Sequence, residues 1–254
     1  LLVGTMRALI VIPCYNEVER LSPAEVGALL ACPRVDVLFV DDGSNDGTKA
    51  LLEDLAATHI GRVGVLKFEV NRGKAEAVRK GMLLALVEGY EVVGFADADF
   101  ATPPDELVRL LDELERLGAE IVLGSRVLLL GTAIRRSPLR HIVGRLFATV
   151  ASLAVGTPVY DTQCGAKLFR ATNALRASLA EPFSSRWSFD VELLCRLFGR
   201  LESKAMTSTA QALEVPLREW RDVEGSKLDL VSMVKSFGEL LGIWMHAKRH
   251  SRKH

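Results

Sequence analysis

Short apolar segments alternate with helical patterns through the first half of the chain, and this alternation restricts the possible folds more than any other sequence feature. The β-rich apolar segments cover residues 8–12, 35–40, 63–68, 92–96 and 121–123. The helical patterns cover residues 17–31, 46–58, 73–88 and 104–117. Strands that are apolar along their whole length and are separated by helices indicate a mainly parallel sheet with helices on both faces. The sequence therefore predicts an α/β fold.

Polar clusters follow three of these predicted strands. They occupy residues 13–17, 41–44 and 97–99. In a parallel α/β sheet, ligands bind beyond the carboxyl ends of the strands. We therefore expect the three clusters to meet at one edge of the sheet and to form a binding site there.

The second half of the chain continues the same domain. Helical patterns are predicted over residues 139–155, 188–198 and 228–245, and no internal repeat or low-complexity linker separates them from the first half. We therefore expect one domain over residues 6–240, followed by a basic tail over residues 241–254.

The charge balance excludes one broad class of partner. Lysine plus arginine and aspartate plus glutamate each number 32, so the formal net charge is zero. A nucleic-acid-binding protein usually carries a strongly basic surface, and we expect no nucleic-acid partner. The charges are unevenly distributed, because residues 121–160 hold five arginines and no acidic residue. Arginine suits phosphate recognition, so this segment is a candidate anion-binding region.

Two acidic pairs follow predicted strands. Asp97 and Asp99 lie directly after the fourth strand, where two carboxylates can bind Mg²⁺ or Mn²⁺ together with the phosphates of a substrate. The alternative is a solvated loop. Asp41 and Asp42 follow the second strand, where carboxylate oxygens can accept hydrogen bonds from a nucleoside base or a ribose. The alternative for this pair is a turn with a helix cap.

The order of the motifs is similar to that of a known enzyme family. Residues 11–17, 40–44, 71–74 and 97–99 resemble, in this order, the motifs of inverting family 2 glycosyltransferases of GT-A fold. Four further segments resemble the dolichyl-phosphate β-glucosyltransferase branch of that family. These are residues 124–126, 161–169, 186–194 and 224–228. The resemblance implies a GT-A fold, with a nucleotide-sugar-binding half over residues 7–124 and an acceptor-binding half over residues 125–240.

The resemblance also implies roles for individual residues. Those that would bind the nucleotide sugar are Pro13, Tyr15, Glu17, Asp41, Asp42, Arg72, Lys74 and Asp97. Asp99, together with Asp97, would bind the metal. Those that would contact the acceptor are Arg126, Arg136, Arg140, Trp187, Asp190 and Lys227. The catalytic set would be Asp97, Asp99, Asp161 and Arg126, with Asp161 positioning the arginines or the acceptor. For Asp190 an equal alternative is a cap of the helix that follows.

The reaction that the resemblance implies is transfer of a hexose from a nucleotide sugar to a polyprenyl phosphate, such as dolichyl or undecaprenyl phosphate. UDP-glucose is the expected donor, and GDP-mannose is the alternative. A phosphate acceptor is already ionised near neutral pH, so it needs no general base. Two further alternatives are a family 2 enzyme with a non-lipid acceptor and an inactive nucleotide-binding module. The intact Asp97 and Asp99 pair argues against the inactive module.

A lipid acceptor requires access to a membrane, although the sequence has no stretch of about 18 uninterrupted apolar residues that would indicate a spanning helix. We expect a cytoplasmic protein that is peripheral on the cytoplasmic face of a membrane. It would dock through residues 139–155 and the basic tail. A membrane-anchored partner or a homo-oligomer is the alternative means of attachment.

Overall fold

The structure is a computed structural model that describes residues 5–127, 130, 133–134, 148–153, 155–186, 188–202 and 212–221. Its centre is a seven-stranded sheet with the strand order β3-β2-β1-β4-β7-β5-β8. These strands are β1 (Ala8–Cys14), β2 (Val35–Asp41), β3 (Val63–Lys67), β4 (Val92–Phe95), β5 (Ile121–Ser125), β7 (Lys167–Arg170) and β8 (Ala212–Pro216). A second sheet pairs β6 (Ala133–Ile134) with β9 (Glu219–Trp220).

The predicted α/β architecture is confirmed, because four of the six strand pairs in the large sheet are parallel and helices flank it. The helices are α1 (Pro23–Leu30), α2 (Thr48–Thr58), α3 (Lys74–Val87), α4 (Pro104–Leu117), α5 (Asn173–Ser178) and α6 (Phe189–Glu202). Residues 148–153 are also helical. The rest of the helix predicted at 139–155, the helix predicted at 228–245 and the basic tail lie outside the described residues.

The central strands of the sheet are buried on both faces, as their mainly apolar sequences predicted. Along β1, Ala8, Ile10 and Ile12 contribute to one core cluster, and Leu9 and Val11 contribute to the other. This separation follows from the two-residue period of a strand, which sends successive side chains to opposite faces. Each cluster contains helix residues that cover its face of the sheet.

The first predicted helix was wrong in its starting point. Helix α1 begins at Pro23, six residues later than the apolar pattern indicated, because Ser22 caps it by accepting a hydrogen bond from the Glu25 amide. Residues 17–21 form a turn instead, in which the amides of Arg20 and Leu21 donate to the Glu17 carbonyl. This turn keeps Glu17 at the carboxyl edge of the sheet.

Strand β7 is the main feature that the sequence pattern did not predict. It lies between β4 and β5 and is antiparallel to both, with Lys167 opposite Phe95 and also opposite Leu123. The loop that precedes β7 therefore arrives at the same sheet edge as the residues that follow β4. Among the described residues, no helix is long and apolar enough to cross a membrane.

Candidate functional site

Asp97 and Lys74 form an ion pair at the carboxyl edge of the sheet. Asp97 follows β4, and Lys74 is the first residue of α3, so the fold brings them together across 23 positions of sequence. Partial burial would raise the pKa of Asp97, but the positive charges of Lys74, Lys167 and Arg126 outweigh that effect and lower it. Asp97 is therefore held as a carboxylate at the centre of a cationic group.

Asp99 lies beside Asp97 in a more acidic environment. Burial and the negative charge of Asp97 raise the pKa of Asp99, while Arg20 places its Nη1 3.7 Å from the Asp99 Oδ2. The Asp99 Oδ1 accepts a hydrogen bond from the Ala101 amide at 3.1 Å. The two carboxylates thus leave negative charge that a cation could neutralise.

The carboxylates of Asp97 and Asp99 suit Mg²⁺ or Mn²⁺ better than a metal that is held by protein side chains alone. In the described part of the chain, no group of three or more His, Cys, Asp or Glu side chains is arranged to hold a metal. Mg²⁺ and Mn²⁺ are commonly bound by one or two carboxylates, with substrate phosphates and water completing the coordination. The donor set at Asp97 and Asp99 therefore fits a metal that arrives with a diphosphate.

Asp41 and Asp42 are buried at the end of β2, where their carboxylates organise the neighbouring loops. The two oxygens of Asp42 accept hydrogen bonds from the amides of Arg72 and Gly73, at 2.6 and 2.8 Å. The Asp41 Oδ1 accepts from the Ser44 amide at 3.0 Å. Burial raises the pKa of Asp42, and the two amide hydrogen bonds oppose that rise. Direct contact of either residue with a nucleoside stays a prediction.

The turn after β1 carries three of the residues assigned to the donor. Pro13 is the last residue but one of β1, Tyr15 is exposed just after the strand, and Glu17 is buried. Glu17 accepts two hydrogen bonds from Arg20, from Nε at 2.7 Å and from Nη2 at 2.6 Å. Arg20 thereby links Glu17 to Asp99. The sequence interpretation missed Arg20, although the three-residue spacing from Glu17 is a signal for such a pair in a helical turn.

Arg72 lies in the loop that Asp42 holds. Its guanidinium carbon is 5.0 Å from the centre of the Phe68 ring, which is a cation–π contact. The next residue, Gly73, has a φ of +94°, a left-handed conformation that favours glycine, and it forms the entry to α3. The loop thus delivers Arg72 and Lys74 to the same end of the sheet.

Arg126 and Asp161 form a two-pronged ion pair beside this group. The Arg126 Nε and Nη2 donate to the two carboxylate oxygens of Asp161, at 2.7 and 2.8 Å, and the Arg126 amide donates to Asp161 at 3.0 Å. Burial would lower the pKa of Arg126, but Asp161 raises it. Glu214 on β8 fixes the loop that carries Asp161, because its carboxylate accepts hydrogen bonds from the amides of Tyr160 and Asp161, at 2.7 and 2.6 Å.

Lys167 and Asp190 form a second buried pair, deeper in the protein. Lys167 is fully buried, and its Nζ lies 3.3 Å from the Asp190 Oδ2 and 5.2 Å from the centre of the Phe95 ring. Asp190 lies in the first turn of α6, where a negative charge is favourable. Asp190 thus lies inside the helix, one residue after its start at Phe189, and not at the cap position considered for it. Its contact with an acceptor stays a prediction.

Several assigned residues lie outside the described part of the chain. They are Arg136, Arg140, Trp187 and Lys227. The structure adds four residues that sequence reasoning did not assign to the site, namely Arg20, Lys167, Glu214 and Trp220. A charged residue at the start of the apolar run at 167–169 was a usable signal for Lys167, because a lysine is rarely buried without a partner.

Comparisons with known proteins find a matching family and similar sequences. The model of the family described as "Glycosyl transferase family 2" matches residues 9–174. A polyprenol monophosphomannose synthase of Mycolicibacterium smegmatis is 35% identical, over 84% of this chain and 77% of that protein. A dolichyl-phosphate beta-glucosyltransferase of Drosophila melanogaster is 34% identical, over 93% of this chain and 74% of that protein.

The fold is also similar to that of a solved structure. The crystal structure of glucosyl-3-phosphoglycerate synthase of Mycobacterium tuberculosis superposes with a TM-score of 0.67, covering 95% of this chain and 80% of that one. The sequences are 16% identical, so this likeness supports the fold alone.

Proposed function

This chain belongs to glycosyl transferase family 2, and we propose that it transfers a hexose from a nucleotide sugar to a polyprenyl phosphate. The observation that carries the proposal is Arg126, a guanidinium held by Asp161 next to the Asp97 and Lys74 pair. The charge of Arg126 helps to lower the pKa of Asp97, and this closeness supports an anion-binding role for Arg126 beside the proposed donor residues. Two relatives named for polyprenol or dolichyl phosphate chemistry support the same acceptor class.

UDP-glucose is the proposed donor. It is supported by the motifs at residues 161–169 and 224–228, which resemble the glucosyltransferase branch, and by the Drosophila relative. GDP-mannose is the second candidate, because the mycobacterial relative is named as a mannose synthase and has a similar identity. The two donors differ in both base and sugar, so one assay distinguishes them.

Asp97 and Asp99 are the residues proposed to hold a Mg²⁺ or Mn²⁺ ion. When bound, the ion would act as a Lewis acid that neutralises charge on the leaving diphosphate. The glucosyl-3-phosphoglycerate synthase of the same fold was crystallised with Mn²⁺ and UDP, which is consistent with a divalent metal in this fold. In this chain Lys74 and Arg72 add positive charge at the same edge, and Arg20 orients Asp99.

The acceptor chemistry requires no general base. An oxygen of the acceptor phosphate would attack the anomeric carbon, the bond from that carbon to the diphosphate would break, and the nucleoside diphosphate would leave with inversion. A phosphate monoester has no proton to lose from the attacking oxygen near neutral pH, because its second pKa is about 6. The acids around the site are paired with cations, Asp97 with Lys74, Asp161 with Arg126 and Asp190 with Lys167, which suits charge placement rather than proton removal.

A peripheral position on the cytoplasmic face of a membrane is part of the proposal, because a polyprenyl acceptor is embedded in lipid. Flotation with vesicles that contain anionic lipid, at low and at high salt, measures this directly. Binding that weakens with salt is expected for docking through basic residues. Absence of the protein from the vesicle fraction at low salt would contradict the proposal.

The transfer reaction is tested by supplying radiolabelled UDP-glucose or GDP-mannose, polyprenyl phosphate in detergent, and Mg²⁺ or Mn²⁺. We expect the label to appear in an organic-extractable product. Label that stays in water-soluble products with both donors would indicate a non-lipid acceptor and would contradict the proposal. The variant Asp99→Asn should lower turnover at least about 100-fold, since several kcal/mol of charge stabilisation is lost.

A matched control is Asp112→Asn. Asp112 is an exposed carboxylate of α4 that pairs with Arg34, outside the site described above. This variant should retain wild-type turnover, because an exposed ion pair contributes little to stability. Equal turnover of Asp99→Asn and Asp112→Asn would contradict the assignment of Asp99.

A further inference from the structure

Trp220 lies against Arg126, and nothing in the sequence motifs pointed to it. The guanidinium carbon of Arg126 is 5.5 Å from the centre of the indole ring, within the range of a cation–π contact. Trp220 is half-buried and packs against the core cluster that lies behind β1 and β4. The ring is therefore a supported surface rather than a mobile side chain.

The backbone around Trp220 connects the two halves of the site. In β9, Trp220 pairs in parallel with Ile134, which precedes Arg136 by two positions in the sequence. The next residue, Arg221, donates its amide to the Ala101 carbonyl at 2.9 Å, immediately after the Asp97 and Asp99 motif. Trp220 and Arg221 thus connect the segment that precedes Arg136 in the sequence to the loop that follows Asp99.

The contacts of Arg126 determine which part of its guanidinium remains for a ligand. A guanidinium has five N–H donors. Asp161 accepts from Nε and from one N–H of Nη2, and the guanidinium carbon lies over the indole ring. Within the described ranges, no residue accepts from the other three N–H groups, two on Nη1 and one on Nη2. That end has the spacing to bind two oxygens of one phosphate.

We propose that Trp220 is a positioning residue for the acceptor phosphate, and that its indole face fixes Arg126 so that the Nη1 and Nη2 end meets the acceptor. The inference rests on the proposed function, because it assumes a phosphate acceptor at Arg126. Asp161 alone fixes one edge of the guanidinium, and rotation about that edge would still move the far end. The indole ring prevents that rotation, so the Arg126 side chain loses less conformational entropy when the acceptor phosphate binds.

The test compares Trp220→Leu, which removes the aromatic face but keeps apolar bulk, with Trp220→Phe, which keeps an aromatic face. The measured quantities are kcat and the KM for polyprenyl phosphate and for the nucleotide sugar. We expect Trp220→Leu to raise the acceptor KM about 3- to 30-fold, the range that loss of a cation–π contact produces. The donor KM should stay within about twofold of wild type, and Trp220→Phe should recover most of the acceptor KM.

A second measurement does not depend on turnover. Titration of a Trp187→Phe variant, which removes the other tryptophan assigned to the acceptor, with a short-chain polyprenyl phosphate should change tryptophan fluorescence. The same titration of the Trp187→Phe, Trp220→Phe double variant should lose most of that change. The control for general loss of an arginine–aromatic pair is Tyr90→Leu, because Arg7 lies 5.2 Å from the Tyr90 ring at the opposite edge of the sheet. Its acceptor KM should equal that of wild type.

The outcomes separate the two proposals. If the wild-type protein transfers no sugar to polyprenyl phosphate, the proposed function fails. If the wild-type protein transfers sugar but Trp220→Leu keeps the wild-type acceptor KM, the Trp220 proposal fails alone. An equal rise of donor and acceptor KM in Trp220→Leu and Trp220→Phe would assign Trp220 a general structural role and would also overturn the proposal.

Discussion

Gly165 packs against the carboxylate of Asp97 so closely that a β-carbon on Gly165 would lie 2.0 Å from the Asp97 Oδ2. No side chain fits at that distance, so Gly165, in the loop before β7, limits the position of Asp97, which follows β4. Gly165 has no left-handed backbone angle, and the requirement for glycine here is one of space alone.

The first prediction concerns this contact. Gly165→Ala should displace Asp97 and reduce kcat/KM about 100-fold, because a shift of about 1 Å in a catalytic group has effects of that size. Steady-state kinetics with both substrates measures the effect, and thermal unfolding shows that the fold is retained.

Gly27→Ala is the matched control for Gly165→Ala. Gly27 lies in α1, where an added β-carbon meets no atom within 4 Å. This variant should keep full activity and gain about 0.4–1 kcal/mol of stability, because alanine restricts the unfolded chain. Wild-type kinetics for Gly165→Ala would show that Asp97 moves without consequence, contrary to the prediction.

The second prediction concerns the buried pair of Lys167 and Asp190. Lys167→Met would leave the Asp190 carboxylate buried without its cation, and should lower the free energy of unfolding by about 3–5 kcal/mol. The double variant Lys167→Met with Asp190→Asn removes both charges and should recover most of that loss. Urea denaturation of the two variants measures the difference. A double variant that is no more stable than Lys167→Met would contradict the pairing.

The third prediction concerns Asp42. Asp42→Asn keeps only one acceptor oxygen for the two amides of Arg72 and Gly73, and its own NH₂ group faces the second amide. The loop that begins α3 should loosen, with a cost of about 1–3 kcal/mol in stability and a raised KM for the nucleotide sugar. Asp54→Asn, on the exposed side of α2, is the control and should change neither quantity. An unchanged donor KM in Asp42→Asn would refute the role of this loop.

The fourth prediction concerns pH and Tyr90. Partial burial and the hydrogen bond to Asp36, 2.9 Å long, raise the pKa of Tyr90 to about 12. Between pH 10 and 12 the unfolded chain loses the phenol proton while the folded chain keeps it, so stability should fall as pH rises through this range.

Tyr90→Phe has no phenol proton, and this part of the pH dependence should be absent from it. The stability difference between wild type and Tyr90→Phe, measured by urea denaturation at pH 9, 10 and 11, should be largest at pH 9 and shrink towards pH 11. A difference that stays constant over these pH values would contradict the prediction.

The sequence predicted the parallel part of the fold because strand and helix periods are local properties. The runs at 8–12 and 92–96 hold no charged residue, and the run at 35–40 holds a single one, Asp36. Each run corresponds to a strand that is buried on both faces. The polar residues that follow these strands were assigned to one edge of the sheet, because the carboxyl ends of parallel strands meet at the same edge. The structure brings Lys74 and Asp97 together there.

The remaining parts of the site depend on contacts between distant segments, which local patterns do not contain. Trp220 reaches Arg126 from 94 positions away, and Glu214 holds the Asp161 amide from 53 positions away. Strand β7 is four residues long and begins with a lysine, so its run of apolar residues is too short to indicate a strand. Its antiparallel direction follows from the chain path, which no residue type specifies.

The position of β7 determines which strand edges are unpaired while the chain is being synthesised. Residues 7–124 contain all the residues assigned to the donor, yet one edge of β4 and both edges of β5 pair only with strands that are synthesised later, β7 and β8. The edges that pair with β7 stay open to other chains until residue 170 has left the ribosome, and the edge of β5 that pairs with β8 stays open until residue 216 has done so. Residues 7–124 therefore cannot satisfy the hydrogen bonds of β4 and β5 by themselves, and the sheet is completed only when both later strands are present.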